Sequence, residues 1–130
     1  MIHKFLPHTR RPDITFHETG RIDITANLSR TLSLQENDVI DVVYDDVARE
    51  FYIYVRHRAS SIVGRHEAQC RVTNRRARKT NNFRAHSKTI CQGLFNYAKP
   101  LTPGPLRCQV GYPLDHPQLG WAVPIIIRRV

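Results

Sequence analysis

The chain has 130 residues, 41% of them hydrophobic, enough for one packed domain and too few for two independent cores. No apolar run approaches the roughly 20 residues that cross a bilayer as a helix. The opening MIHKFLPHTRRP lacks the apolar stretch of a secretory signal, so a soluble, cytoplasmic protein without membrane contact is expected. The formal charge is +9, and residues 65–88 hold eight of the 20 Lys and Arg against one acid, Glu67, so the basic character is local.

Residues 1–13 carry His3, His8, Arg10, Arg11 and two prolines without a period, and read as a flexible arm ahead of a single domain over 14–130. From Ile14 the pattern alternates. Ile14 and Phe16, a turn at Glu18-Thr19-Gly20, then Ile22 and Ile24 predict a short hairpin. Thr25 or Asn27 is placed to cap a brief helix with Leu28 and Leu32 inward. A polar turn at 35–38 leads to a strand over Val39–Tyr44, and Asp45-Asp46 turns the chain into a returning strand over Glu50–Arg56, rich in aromatic and β-branched residues.

Beyond a small connector at 59–62, residues 65–73 alternate again and predict a strand. Residues 74–81 form a polar, arginine-rich loop. Asn82 is the expected N-cap of an amphipathic helix over 83–98, since Phe83, Ile90, Leu94, Tyr97 and Ala98 share one face. Two more strands are expected over 106–112 and 121–127, with 113–120 as a loop and Pro124 marking an edge or a bulge. No internal repeat or low-complexity tract is evident. The fold class expected is α+β and β-rich, a small barrel-like or swapped-hairpin sheet of about seven strands with one short helix and one longer amphipathic helix.

The order of elements from Ile14 to Val55 resembles the AbrB/SpoVT family of swapped-hairpin DNA-binding modules. Thr19-Gly20-Arg21-Ile22-Asp23-Ile24-Thr25 stands where that family closes a strand and enters a short helix. Leu28 to Val42 stands at the helix and the leucine-rich turn that follows. Asn37 occupies the place of the usual Gly, which Asn can imitate because it tolerates a left-handed backbone. Thr25 or Ala26 stands at the usual Pro. The resemblance implies a bacterial regulator, a homodimer with two interleaved hairpin units, and DNA contact through basic residues, here Arg21 and Arg30. It covers residues 14–58 as one unit and leaves 59–130 as an extension that would complete a barrel within one chain.

The acids Asp23, Glu36, Asp38, Asp41, Asp45 and Asp46 make that unit a better scaffold than a phosphate-binding face. The basic run is the stronger candidate. Arg71, Arg75, Arg76, Arg78, Lys79, Arg84 and Lys88 would meet a nucleic-acid backbone through charge and bidentate hydrogen bonds, with salt-sensitive affinity. The expected function is therefore a nucleic-acid-binding regulatory or accessory protein, with DNA the first candidate. The alternative is a structural or protein-interaction component of a phage or mobile element whose basic loop meets an acidic protein.

Metal and catalytic readings have less support. His66, Cys70, His86 and Cys91 are a zinc-type ligand set, but His66 and Cys70 on one strand would lie about 13 Å apart. His86 and Cys91 on one helix would lie about 140° apart. No nucleophile elbow or phosphate loop is present, and His57, His116 and Trp121 form no assignable constellation. No catalytic residue, metal or cofactor is therefore expected. Cys70, Cys91 and Cys108 cannot all pair with one another and show no CxxC spacing, which suits a reducing compartment.

Overall fold

The computed structural model describes residues 12–58, 70–74 and 81–127. The alternation that begins at Ile14 makes a hairpin of β1 (Ile14–Phe16) and β2 (Arg21–Ile24), and its register turns Ile14, Phe16, Ile22 and Ile24 into one interior. Gly20 makes the reversal: its φ is +100°, and a Cβ there would lie 2.9 Å from both His86 Cε1 and Lys88 Cγ. α1 (Ala26–Leu32) follows, with Leu28 and Leu32 buried. Thr25 is its N-cap, yet the Thr25 hydroxyl donates to the Asp13 carbonyl at 3.1 Å and not into the helix. Asn37 adopts φ +73°, the left-handed role expected of it, and the chain enters the predicted long hairpin of β3 (Val39–Asp45) and β4 (Glu50–His57).

The second half contains β5 (Cys70–Arg71), β6 (Thr73–Asn74), β7 (Phe83–His86), α2 (Lys88–Ala98), β8 (Leu106–Val110), β9 (Leu114–His116) and β10 (Gly120–Ile126). Two expectations fail here. The longer helix does not begin at Phe83 under an Asn82 cap. Residues 83–86 are a strand, and the cap is Ser87, whose Oγ accepts the Ile90 N–H at 3.2 Å. Phe83 and Ala85 fit a two-residue period as well as a helical face, and β2 offers a ladder in which Ile24 stands opposite Phe83 and Ile22 opposite Ala85. That pairing buries both side chains and decides the matter. The segment read as a loop at 113–120 carries β9, which is hairpinned onto β10. Of the strand expected over 65–73, the part before Cys70 lies outside the described residues. Pro124 pairs with Tyr52 of β4 on one side, and on the other it falls between the end of the β9 pairing at Ala122 and the start of the β8 pairing at Ile125, so its missing N–H faces a break in the ladder.

All strands join one antiparallel sheet in the order β5-β3-β4-β10-β8-β1-β2-β7-β6, with β9 on β10. The two ends of that order, β5 and β6, are consecutive in the chain and separated only by Val72, so the sheet nearly closes into a barrel. The Val72 N–H donates to the Asp38 carbonyl and the Asn37 N–H to the Val72 carbonyl, both at 2.8 Å, which carries the seam past the break. Apolar residues from both halves fill the interior, among them Phe16, Leu28, Ile53, Phe83, Leu94 and Val123.

A twofold pattern emerges that no sequence repeat announces. With β5 and β6 taken as one strand interrupted at Val72, and the short β9 set aside, each half runs strand, strand, helix, strand, strand. The first strand of each half pairs with the third strand of the other, as β1 with β8 and β5 with β3. The second strands pair with each other, as do the fourth, β2 with β7 and β4 with β10. The two halves are interleaved within one chain.

Candidate nucleic-acid interface

The strand register fixes which chain junctions share an end of the barrel. Ile14 pairs with Ile24, Ile24 with Phe83 and Phe83 with Asn74, so the start of β1, the end of β2, the start of β7 and the end of β6 lie together. The start of β3 and the end of β4 join them through the Val39–Arg71 and Val39–His57 pairs. α1 follows β2 at this end, whereas α2 follows β7 at the other.

Charge is distributed unevenly over this frame. The described residues hold ten of the 20 Lys and Arg and ten of the 11 Asp and Glu, and are neutral as a set. The whole excess of +9 belongs to residues 1–11, 59–69, 75–80 and 128–130. Those segments carry ten Lys and Arg and one acid, Glu67, and seven of the ten are Lys4, Arg10 and Arg11 together with Arg75, Arg76, Arg78 and Lys79. The segments carrying them join the described chain at Pro12, Asn74 and Asn81, at the α1 end. Arg75, Arg76, Arg78 and Lys79 themselves lie outside the described residues.

At that end a polar groove of about 300 Å³ is lined by Ser29, Arg30, Ser33, Leu34, Gln35 and Asn81. Arg30 and Asn81 meet here although 50 residues separate them in sequence, so α1 and the base of the basic run share one surface. Arg30 is exposed and makes no ion pair among the described residues. The groove contains no acid. Its wall is held by Arg58, which the sequence did not single out. Arg58 Nη1 donates to the Ser33 carbonyl and to Asp38 Oδ2, both at 2.9 Å, while Nη2 donates to the Leu32 carbonyl at 3.3 Å. Asp38 is fully buried and also accepts the Gln35 N–H at 2.9 Å, so one ion pair ties the end of α1 to the turn that starts β3.

Asp13 anchors the other side of this end. It falls in the segment the sequence gives to the arm, yet it is buried and accepts from Asn27 Nδ2 and from the Val110 N–H, both at 3.0 Å. Its isolated position before the first alternating strand hid it.

The remaining predicted contacts separate. Arg84 Nε lies 2.9 Å from Asp23 Oδ1 and Arg21 Nε 3.2 Å from Asp23 Oδ2, with His17 Nε2 at 3.0 Å, so these two arginines are engaged by one carboxylate on the sheet. Burial opposes the charge on Asp23, but the hydrogen bonds from Arg84 and His17 and the charges of both arginines outweigh it and hold the carboxyl below its ordinary 3.8. Arg71 is half-buried, and its Nε has no hydrogen-bond partner among the described residues. Lys88 is exposed at the start of α2, at the far end.

Other chemistry finds little geometry. Burial pushes the Cys70 thiol up to about 12 and those of Cys91 and Cys108 up to about 11, which leaves all three protonated and poorly nucleophilic. His86 Nε2 lies 3.0 Å from the Thr19 carbonyl, and no metal-type cluster of three or more His, Cys, Asp or Glu occurs among the described residues. His66 lies outside them. His116 and Asp45 are 2.7 Å apart and resemble a catalytic dyad in outline. His116 Nδ1, however, accepts the backbone N–H groups of Gln118 and Leu119 at 3.1 and 3.3 Å, so both ring nitrogens are occupied. The pair fastens the β9–β10 turn to the β3–β4 hairpin.

The site therefore belongs to a class defined by geometry: a neutral, nearly closed antiparallel barrel of two interleaved units, with a polar groove and the attachment points of two basic segments at one end. No family model matches the chain, and neither a curated protein nor a solved structure is significantly similar to it.

Proposed function

We propose that the protein binds nucleic acid, DNA in the first instance, by electrostatic docking at the α1 end of the barrel. The observation that carries this reading is the segregation of charge: the described residues are neutral as a set, and seven of the ten Lys and Arg outside them belong to segments that join the described chain at Pro12, Asn74 and Asn81, at the α1 end. A balanced frame with a local excess of arginine concentrates a polyanion at one place without making the whole surface adhesive. Arg75, Arg76, Arg78 and Lys79 supply phosphate contacts, and Arg30, in the groove that Asn81 also lines, adds another. Arg21 and Arg84 contribute less because Asp23 already compensates them.

The AbrB/SpoVT resemblance and its bacterial, regulatory setting belong to the same proposal. The interleaving that the resemblance assigns to two chains occurs here between β1–β4 and β5–β10 of one chain. A homodimer would accordingly form through surface contact and not through exchange of hairpins. A reducing, cytoplasmic setting accords with three buried, free cysteines. The second reading, a structural or protein-interaction component, is favoured by the exposure of Tyr112, Val47 and Leu101.

Affinity for duplex and single-stranded DNA across a salt series tests the proposal. Micromolar binding at about 50 mM salt that weakens steeply as salt rises is expected, with a slope that falls by about three to four when Arg75, Arg76, Arg78 and Lys79 are replaced by Gln. Absence of binding at low salt, or binding indifferent to those replacements, overturns it.

A further inference from the structure

The twofold arrangement of the halves places a second groove at the α2 end, in the position equivalent to the α1 groove. The α1 groove is built from α1, the residues that follow it, and Asn81 in the β6–β7 connection. The second, of about 370 Å³, is built from Gln92 and Phe95 of α2, the segment 100–103 that follows it, and Glu18 in the β1–β2 turn. The correspondence extends to single positions. Arg30 and Gln92 are each the fifth residue after a helix N-cap, at Thr25 and Ser87, and Ser33 and Phe95 are each the eighth.

Equivalent frames carry opposite chemistry. Where the α1 groove has a guanidinium, a hydroxyl and no acid, this one has a carboxamide, an aromatic ring and one carboxylate, and no Lys, Arg or His lines it. Glu18 is exposed and makes no ion pair among the described residues. Leu101 is 85% exposed, so the groove keeps an apolar wall that only water covers. Beside that wall stand three acceptors: the Glu18 carboxylate, the Gln92 amide oxygen and the Thr102 hydroxyl. An ammonium group has three donors and no acceptor, and matches that set. A volume in the lower part of the small-ligand range, with apolar walls and a few polar groups, suits a compact organic molecule.

We infer that the α2 groove binds a small primary amine carried on an apolar body, with the ammonium held by Glu18, Gln92 and Thr102 and the body laid against Phe95 and Leu101. This site goes beyond the nucleic-acid reading and stands or falls apart from it. An exposed carboxylate discriminates only modestly among charges, so burial of the apolar body contributes most of the affinity and Glu18 sets the preference for a cation.

The experiment titrates the full chain at neutral pH with phenethylamine, its neutral isostere phenylethanol and the anionic phenylpropionate, following backbone amides by heteronuclear NMR. Phenethylamine should bind with a Kd of about 1 mM and shift the amides of Glu18, Gln92, Leu101 and Thr102, while those of Arg30 and Asn81 stay in place. Phenylethanol should bind about two- to fivefold more weakly, and phenylpropionate more weakly still. Glu18→Gln, at an exposed position, should leave phenylethanol binding unchanged and remove the advantage of the amine. Leu101→Ser, also exposed, should weaken all three probes. Absence of saturable shifts at these amides with every probe at about 20 mM overturns the site. Equal affinity for the three probes in the wild type, or an amine preference that survives Glu18→Gln, overturns the assignment of a cationic ligand.

Discussion

Asp38 and Arg58 set the stability of the α1 end at the level of single side chains. A buried carboxylate deprived of its partner keeps its desolvation penalty, so Arg58→Ala is expected to destabilise the fold by about 2 kcal/mol, below the roughly 3–5 of a fully buried pair because the arginine is half exposed. Urea denaturation of the variant checks this, and Asp38→Asn with Arg58→Ala should recover part of the loss. Asp23 gives a pH signature. Its folded-state pKa lies below the unfolded one, so its stabilisation is complete above about pH 5 and disappears as pH falls through the folded value. Acid titration of wild type and Asp23→Asn should show the wild type losing its advantage below about pH 4, with similar stabilities at the lowest pH. For the cysteines, burial and raised pKa values predict no labelling of the native protein by a maleimide at pH 7 and labelling of all three after denaturation.

The helices differ in how they begin. Ser87 accepts the Ile90 N–H, so Ser87→Ala should cost about 1 kcal/mol, read as a shift in the denaturation midpoint. The Thr25 side chain makes no such bond and is spent on Asp13. Both starts are legible in the sequence as capped, but the cap of α2 is Ser87 and not Asn82. Phe83, Ile90 and Leu94 satisfy a helical face equally well with or without the first turn. Only the presence of β2 beside Phe83 and Ala85 makes a strand the better use of that turn. β9 was missed for the same reason, since three residues between prolines carry too little periodicity to be read, and their pairing with Gly120–Ala122 is a property of β10.

Across the whole molecule, the interleaving of the two units has a consequence for folding. β1 and β3 each need a partner from the other half, so fragments 1–58 and 59–130 should be unfolded separately and regain strand signal in circular dichroism when mixed. The intact chain needs no second copy to complete the ladder. Its strand signal in circular dichroism should therefore persist at concentrations low enough to dissociate a surface-contact homodimer, whose own signature is a melting temperature that rises with concentration. Loss of strand signal on dilution would show that the fold needs a second copy.

By itself, the sequence determined the elements whose signals are local: the Gly20 hairpin, the short helix with Leu28 and Leu32, the left-handed Asn37 turn, the β3–β4 hairpin, and the concentration of arginine near residue 75. These depend on turn chemistry and on a period that runs along neighbouring residues. Tertiary structure decided what depends on partners distant in the chain. It made 83–86 a strand, joined the halves with twofold pairing, and set Arg21 and Arg84 on Asp23. It also brought Arg30 to the groove that Asn81 lines at the base of the basic run. Burial rewards complementary edges wherever they lie in the sequence, and no local pattern records which edge will be found.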